Sequence, residues 1–183
     1  CALAAMTSWW LTAVGVAAVL AAWGYTGGPK PYGYLGLGEV FVFVFFGLVA
    51  TVGTTFVAVE QLLWRSWVAG IGVGALACAL LVVNNLRDLP TDRDVDKRTL
   101  AVRLGDARTR VMFTTLVVVA LASSVAIGDL GALIALAVAV PALSVVRTIH
   151  SGVVGAELIL VLGSTGKLQL MFGVLLSVGL VIV

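Results

Sequence analysis

Apolar runs long enough to cross a lipid bilayer recur near residues 9–24, 38–59, 67–86, 109–127, 130–147 and 168–183, and nothing else in the chain constrains its fold as tightly. A spanning helix needs about 20 predominantly apolar residues. It must also satisfy its own backbone N–H and C=O groups, because hydrocarbon offers no water to do so. The runs therefore predict six transmembrane helices in an all-α polytopic bundle, one domain over residues 1–183. Composition agrees: 61% of residues are hydrophobic and mean hydropathy is +1.16, well beyond the roughly half apolar content of soluble domains. A water-soluble globular fold is excluded.

Residues 1–6 are apolar but too few to span, and Thr7-Ser8 ahead of Trp9-Trp10 reads as a turn at an aromatic interface belt. No basic leader precedes the first run, so a signal peptide is a poor reading. The chain opens at Cys1 in mid-apolar sequence, which suggests a fragment of a longer protein. Cys1 and Cys78 both sit among apolar neighbours and read as small packing residues, with no disulfide expected. Gly27-Gly28-Pro29, Pro90 and Gly105-Asp106 punctuate the chain at span boundaries. Gly70, Gly74 and Cys78, four residues apart, would let another helix approach closely. Pro141 lies inside a span and predicts a kink.

Lys and Arg set the orientation, because loops on the cytoplasmic side carry their excess. If segments 25–37, 87–108 and 148–167 share one face, ten of the 11 bases lie on it or at its helix ends and only Arg65 lies opposite. The face that carries 87–108 is then cytoplasmic.

Asn84 to Gly105 reads NNLRDLPTDRDVDKRTLAVRLG. Between Arg87 and Arg98 stand four acids (Asp88, Asp92, Asp94, Asp96) and four bases (Arg87, Arg93, Lys97, Arg98), in a chain that is 11% charged overall. Asn84, Asp88, Asp92 and Asp96 recur every four residues, which on a continuous helix is one face. Pro90 interrupts that helix, so Asn84 and Asp88 are expected on its last turn and Asp92 to Asp96 on a connection. Carboxylates so placed suit Mg²⁺, which takes oxygen ligands and is often held jointly by one or two carboxylates and substrate phosphates. Lys97-Arg98 suits phosphate oxygens. The alternative is a solvated loop whose acids and bases simply pair.

A second ordered set lies at 25–38 on the same predicted face. Glycines free the backbone for a tight turn, Lys30 supplies a point charge, and Tyr25, Tyr32 and Tyr34 supply hydroxyls and ring faces. A diphosphate could use all of these; an interfacial tyrosine belt with one lysine is the plainer reading. Glu39 and His150 read as interface polar groups and receive no role.

The 84–105 segment resembles the second Asp-rich motif of the UbiA-type intramembrane prenyltransferases. With its KRTLAVRLG continuation, and with YTGGPKPYGYLGLGE at 25–39, it is most similar to the 1,4-dihydroxy-2-naphthoate polyprenyltransferases of menaquinone synthesis. The resemblance covers essentially the whole chain and equates its six spans with helices four to nine of a nine-helix fold, leaving the N-terminal helices of the same enzyme as missing partners. It departs in two places: Asp96 stands where glycine is common, and the family's first Asp-rich motif has no counterpart here.

The resemblance implies transfer of a prenyl chain from a polyprenyl diphosphate to 1,4-dihydroxy-2-naphthoate, with loss of the carboxylate, by a multi-pass protein of the cell inner membrane. It implies Asp88 and Asp92 as Mg²⁺ ligands, Lys30, Lys97 and Arg98 as diphosphate contacts, and Asn84, Arg87 and Tyr25 as supporting polar groups. The lipid bilayer is the expected environment, and no nucleic acid partner is expected. Two rivals stay open: a relative using 4-hydroxybenzoate or haem as acceptor, and a transporter. A transporter would place acids inside several spans, whereas here they cluster in one loop.

Overall fold

The structure is a computed structural model and describes residues 2–27 and 31–182. All regular structure among them is helical. In chain order the helices are α1 (Ala2–Met6), α2 (Trp10–Thr26), α3 (Gly38–Val59), α4 (Trp64–Arg87), α5 (Leu89–Asp94), α6 (Leu100–Leu104), α7 (Asp106–Ala126), α8 (Gly131–His150) and α9 (Glu157–Ile182). A 3₁₀ turn, Tyr32–Leu35, lies between α2 and α3.

By length and composition α3, α4, α7, α8 and α9 can each cross a membrane. The first expected span, α2, is equally apolar but has 17 residues, short of the ~20 that crossing requires. The last expected span starts earlier than its apolar run: α9 begins at Glu157 rather than near 168, because neither Gly163 nor Gly166 stops a helix that the bundle holds. Lys167 therefore lies inside a helix and not in a loop, and the charge bias rests on the other bases.

Helix α4 is the core element. It packs against α7, the middle of α3 and α9, and 67% of its spanning window is buried, against 11% for α3. Its Leu76, Ala79, Val82 and Val83 mesh with Phe113 and Val117 of α7 and with Phe172 and Leu176 of α9. The close approach expected at Gly70 and Gly74 is made by α3. A Cβ on Gly47 would sit 2.5 Å from the Gly74 Cα and 2.8 Å from the Gly70 carbonyl oxygen, so the two backbones touch.

Helix α3 is not uniform: Phe43–Val49 adopts π-helix between two α segments. No propensity pattern marks such a bulge in advance, and π-bulges favour functional sites. At Pro141, where the sequence predicts a kink, α8 changes type: 3₁₀ over Gly131–Val138 gives way to α-helix at Ala139, two residues before the proline.

Arg110 fastens the end of α8 to the start of α7. It is 6% exposed, and its guanidinium grips Asp106 with two bonds of 2.7 and 2.8 Å while donating to the Ile149 carbonyl and, at 3.0 Å, to that of Val153. The last carbonyls of a helix have no intrahelical donor, and this fork supplies one. At the Gly105-Asp106 boundary Gly105 is the N-cap and Asp106 is the first helical residue of α7.

Candidate active site

Helix α4 ends at Arg87, with the Asp88 N–H closing its last turn on the Asn84 carbonyl at 3.1 Å. Pro90 does not open a loop. It falls in the first turn of α5, where its missing N–H would have had no partner. Asp92 and Asp94 are therefore helical rather than on a connection, and only Asp96 lies beyond the helix.

The aspartates differ sharply in environment. Asp92 is 6% exposed; its Oδ1 accepts from Lys97 Nζ at 3.0 Å, and its buried Oδ2 has no partner among the described residues. Asp88 is half-buried, with its two oxygens held by the Arg87 fork at 2.7 and 2.8 Å and by a long contact of 3.4 Å from Asn84 Nδ2. Asp94 and Arg93 point into solvent. Asp96 has φ +54°, a left-handed backbone that favours glycine, and its side chain reaches Arg98 Nε at 2.9 Å on the surface. Glycine would adopt this backbone without strain, and Asp96 stands outside the buried set.

Segment 31–39 docks directly onto 84–105. The Arg98 N–H donates to the Tyr34 carbonyl at 3.1 Å, and Lys97 Nζ lies 5.5 Å from the centre of the Tyr34 ring. Gly36, at φ +72°, is pressed so closely on Arg103, Leu100 and the Arg98 carbonyl that a Cβ there would meet them at 3.1 to 3.3 Å. Tyr25 is half-buried, and the charges of Lys97, Glu39 and Asp92 act on its phenol. Burial pushes the Tyr32 phenol up from its ordinary value, so it remains a donor, bonded to the Ala21 carbonyl at 2.6 Å. Lys30 lies outside the described residues; Tyr25, Asn84, Arg87, Asp88, Asp92, Lys97 and Arg98 all gather at one end of the bundle.

One residue of this end was passed over in the sequence. Glu39 is 6% exposed; its Oε1 accepts from Asn85 Nδ2 at 2.9 Å, its carbonyl accepts from the Cys78 thiol at 3.1 Å, and its Oε2 is buried without a partner among the described residues. It joins the start of α3 to the turn that carries Asn84 and Asp88. An acid directly after a glycine-rich loop, at the mouth of an apolar span, was the available signal.

The donor set fits one side of a divalent cation site. The free Oδ2 of Asp92 is the kind of buried oxygen that such an ion satisfies, and Asp88 lies one turn away. Among the described residues, no three Asp, Glu, His or Cys side chains are grouped to hold a metal by themselves. The remaining ligands would have to come from substrate, water or another segment.

The model of the UbiA prenyltransferase family matches residues 1–154. The chain is 46% identical over 172 residues to a 1,4-dihydroxy-2-naphthoate octaprenyltransferase of Mycobacterium tuberculosis, covering 93% of this chain and 59% of that protein. The namesake of Mycobacterium leprae is 43% identical over 175 residues, covering 94% and 60%, and that of Escherichia coli is 41% identical over 97 residues, covering 53% and 32%. The chain thus spans about three-fifths of the length of the mycobacterial relatives. No solved structure gives a significant match. A family model covering most of the sequence, relatives of this identity and an all-helical apolar bundle agree: the chain belongs to the UbiA prenyltransferase family.

Proposed function

We propose that this chain forms most of an enzyme that moves a polyprenyl group from its diphosphate to 1,4-dihydroxy-2-naphthoate, giving demethylmenaquinol, the reduced form of demethylmenaquinone. The observation that carries the proposal is the buried Asp92, one oxygen held by Lys97 and the other free, at the point where 31–39 docks onto 84–105. Lys97, Arg98, Arg87 and Lys30 neutralise charge that gathers on the departing diphosphate. Asp92 and Asp88 would hold Mg²⁺, which when bound screens the same oxygens. The allylic C–O bond breaks with its electron pair leaving on diphosphate. The electron-rich ring then forms the new C–C bond, and the electrons of the carboxyl bond return to the ring as CO₂ departs.

An apolar cavity of about 610 Å³ between α2 and α3, lined by Ala18, Ala22, Phe41 and Phe45 with Tyr25 and Tyr32 at its charged end, suits the isoprenoid tail. Excluding water there protects the allylic cation. The excess of Lys and Arg at this end supports a cytoplasmic orientation for it.

Product analysis tests the reading. Full-length enzyme given 1,4-dihydroxy-2-naphthoate and a polyprenyl diphosphate is expected to release CO₂ and pyrophosphate and to form a prenylated naphthoquinol, and to do little with 4-hydroxybenzoate. Preference for 4-hydroxybenzoate would overturn the acceptor assignment.

A further inference from the structure

A second cavity, of about 430 Å³, lies between α3, α4 and α9 and shares Val42 and Phe46 with the first. Its walls are Val42, Phe46, Leu80, Leu81 and Leu162, and the polar side chains facing it are two carboxamides, Asn84 and Gln169. Gln169 stands thirteenth in α9, about 18 Å along the helix from Glu157. Its amide has no hydrogen-bond partner among the described residues. Asn84 makes only the long 3.4 Å contact to Asp88, which leaves its carbonyl and one N–H unused.

Unpaired amides in a membrane cavity are unfavourable unless a ligand satisfies them. An isoprenoid chain would leave both unpaired, and the wholly apolar part of the first cavity suits it better. A flat hydroxylated aromatic does match: its ring faces meet Phe46 and the leucines, and its oxygens meet the amides. Asn84 lies on α4 and Gln169 on α9, so the two amides approach the cavity from different helices. Small-molecule sites commonly share this form, an apolar cavity of about 300–1,000 Å³ with a few convergent polar groups.

We propose that the cavity between α3, α4 and α9 holds the aromatic hydroquinone acceptor, with Gln169 and Asn84 hydrogen-bonding its ring hydroxyls. The assignment rests on the prenyl transfer proposed above and identifies where the acceptor binds. It also places the acceptor beside Asp88, one turn beyond Asn84 and next to the diphosphate end.

The test uses full-length protein in nanodiscs, with 1,4-dihydroxy-2-naphthoate under anaerobic conditions and two readouts: acceptor binding at equilibrium, and KM for each substrate. Gln169→Leu is expected to raise the acceptor Kd and KM about tenfold, as loss of one buried hydrogen bond does, with KM for the polyprenyl diphosphate changed less than twofold. Gln169→Asn should fall between. Leu80→Trp, which fills the same cavity from a partly exposed position, should also weaken the acceptor selectively and covers the case in which Gln169→Leu fails to fold. Unchanged acceptor affinity in Gln169→Leu and Leu80→Trp, or equal rises in both KM values, would overturn the assignment. A wild-type protein that binds the hydroquinone at Gln169 but transfers no prenyl group to it would instead overturn the proposed reaction and leave the site standing.

Discussion

Asp92→Asn is expected to lower prenyl transfer by about a hundredfold or more while leaving the protein folded and inserted. The amide keeps the size of the carboxyl but loses the charge that Lys97 and a divalent cation would share. Asp92 is buried with one free oxygen, which in the proposed reaction would meet substrate or metal. Asp88→Asn should also cost activity, by breaking the Arg87 fork. Asp94→Asn is the control: that side chain points into solvent, and its turnover should stay within about twofold. Activity of Asp92→Asn equal to that of Asp94→Asn, measured as pyrophosphate release at matched expression, would remove Asp92 from the site.

The largest expected effect on folding comes from Gly47→Val. A Cβ at Gly47 would lie 2.5 Å from the Gly74 Cα and 3.0 Å from its nitrogen, all backbone atoms of a helix that cannot swing away. Relief requires α3 to separate from α4, at a cost of about 3 kcal/mol. Small residues at a helix crossing are what permit such contact in a membrane. Gly53→Val is the matched control, since nothing lies within 4 Å of its Cβ position. Thermal unfolding in detergent should show a large loss for the first and a small one for the second. Equal midpoints would mean that α3 does not sit against α4 as described.

Much of this was legible in the residues. Long apolar runs dictate helices in hydrocarbon, and α3, α4, α7 and α8 begin and end close to those runs. Gly70 and Gly74 announced a close crossing, though not that Gly47 would be its partner, because periodicity names a face and not what lies on it. Pro90 was read as a loop opener and is a first-turn residue instead; a proline that ends one helix can start the next, and sequence alone does not choose. Lys167 was assigned to a loop because charge marks boundaries on average, yet α9 runs straight through it.

At the candidate site the charged residues were visible from their density, but their inequality was not. Burial separates Asp92 from Asp94, and a positive φ sets Asp96 apart. Glu39 and His150 lacked partners in the sequence because those partners are remote: Asn85 for the first, and for the second Thr114, 2.8 Å from His150 Nε2. Gln169 carries no motif in the sequence, and its place opposite Asn84 across one cavity comes only from the packing of α9 on α4.

The central claim is that 31–39 and 84–98 together bind one prenyl diphosphate, and photo-crosslinking with a prenyl diphosphate analogue tests it most directly. With the photoreactive group at the diphosphate end, in the presence of Mg²⁺, adducts are expected on peptides from both segments, near Tyr34 and near Lys97, and should be lost on competition with polyprenyl diphosphate. Adducts confined to one segment, or found at the far end of the bundle near the Arg65–Asp129 pair, would contradict the account.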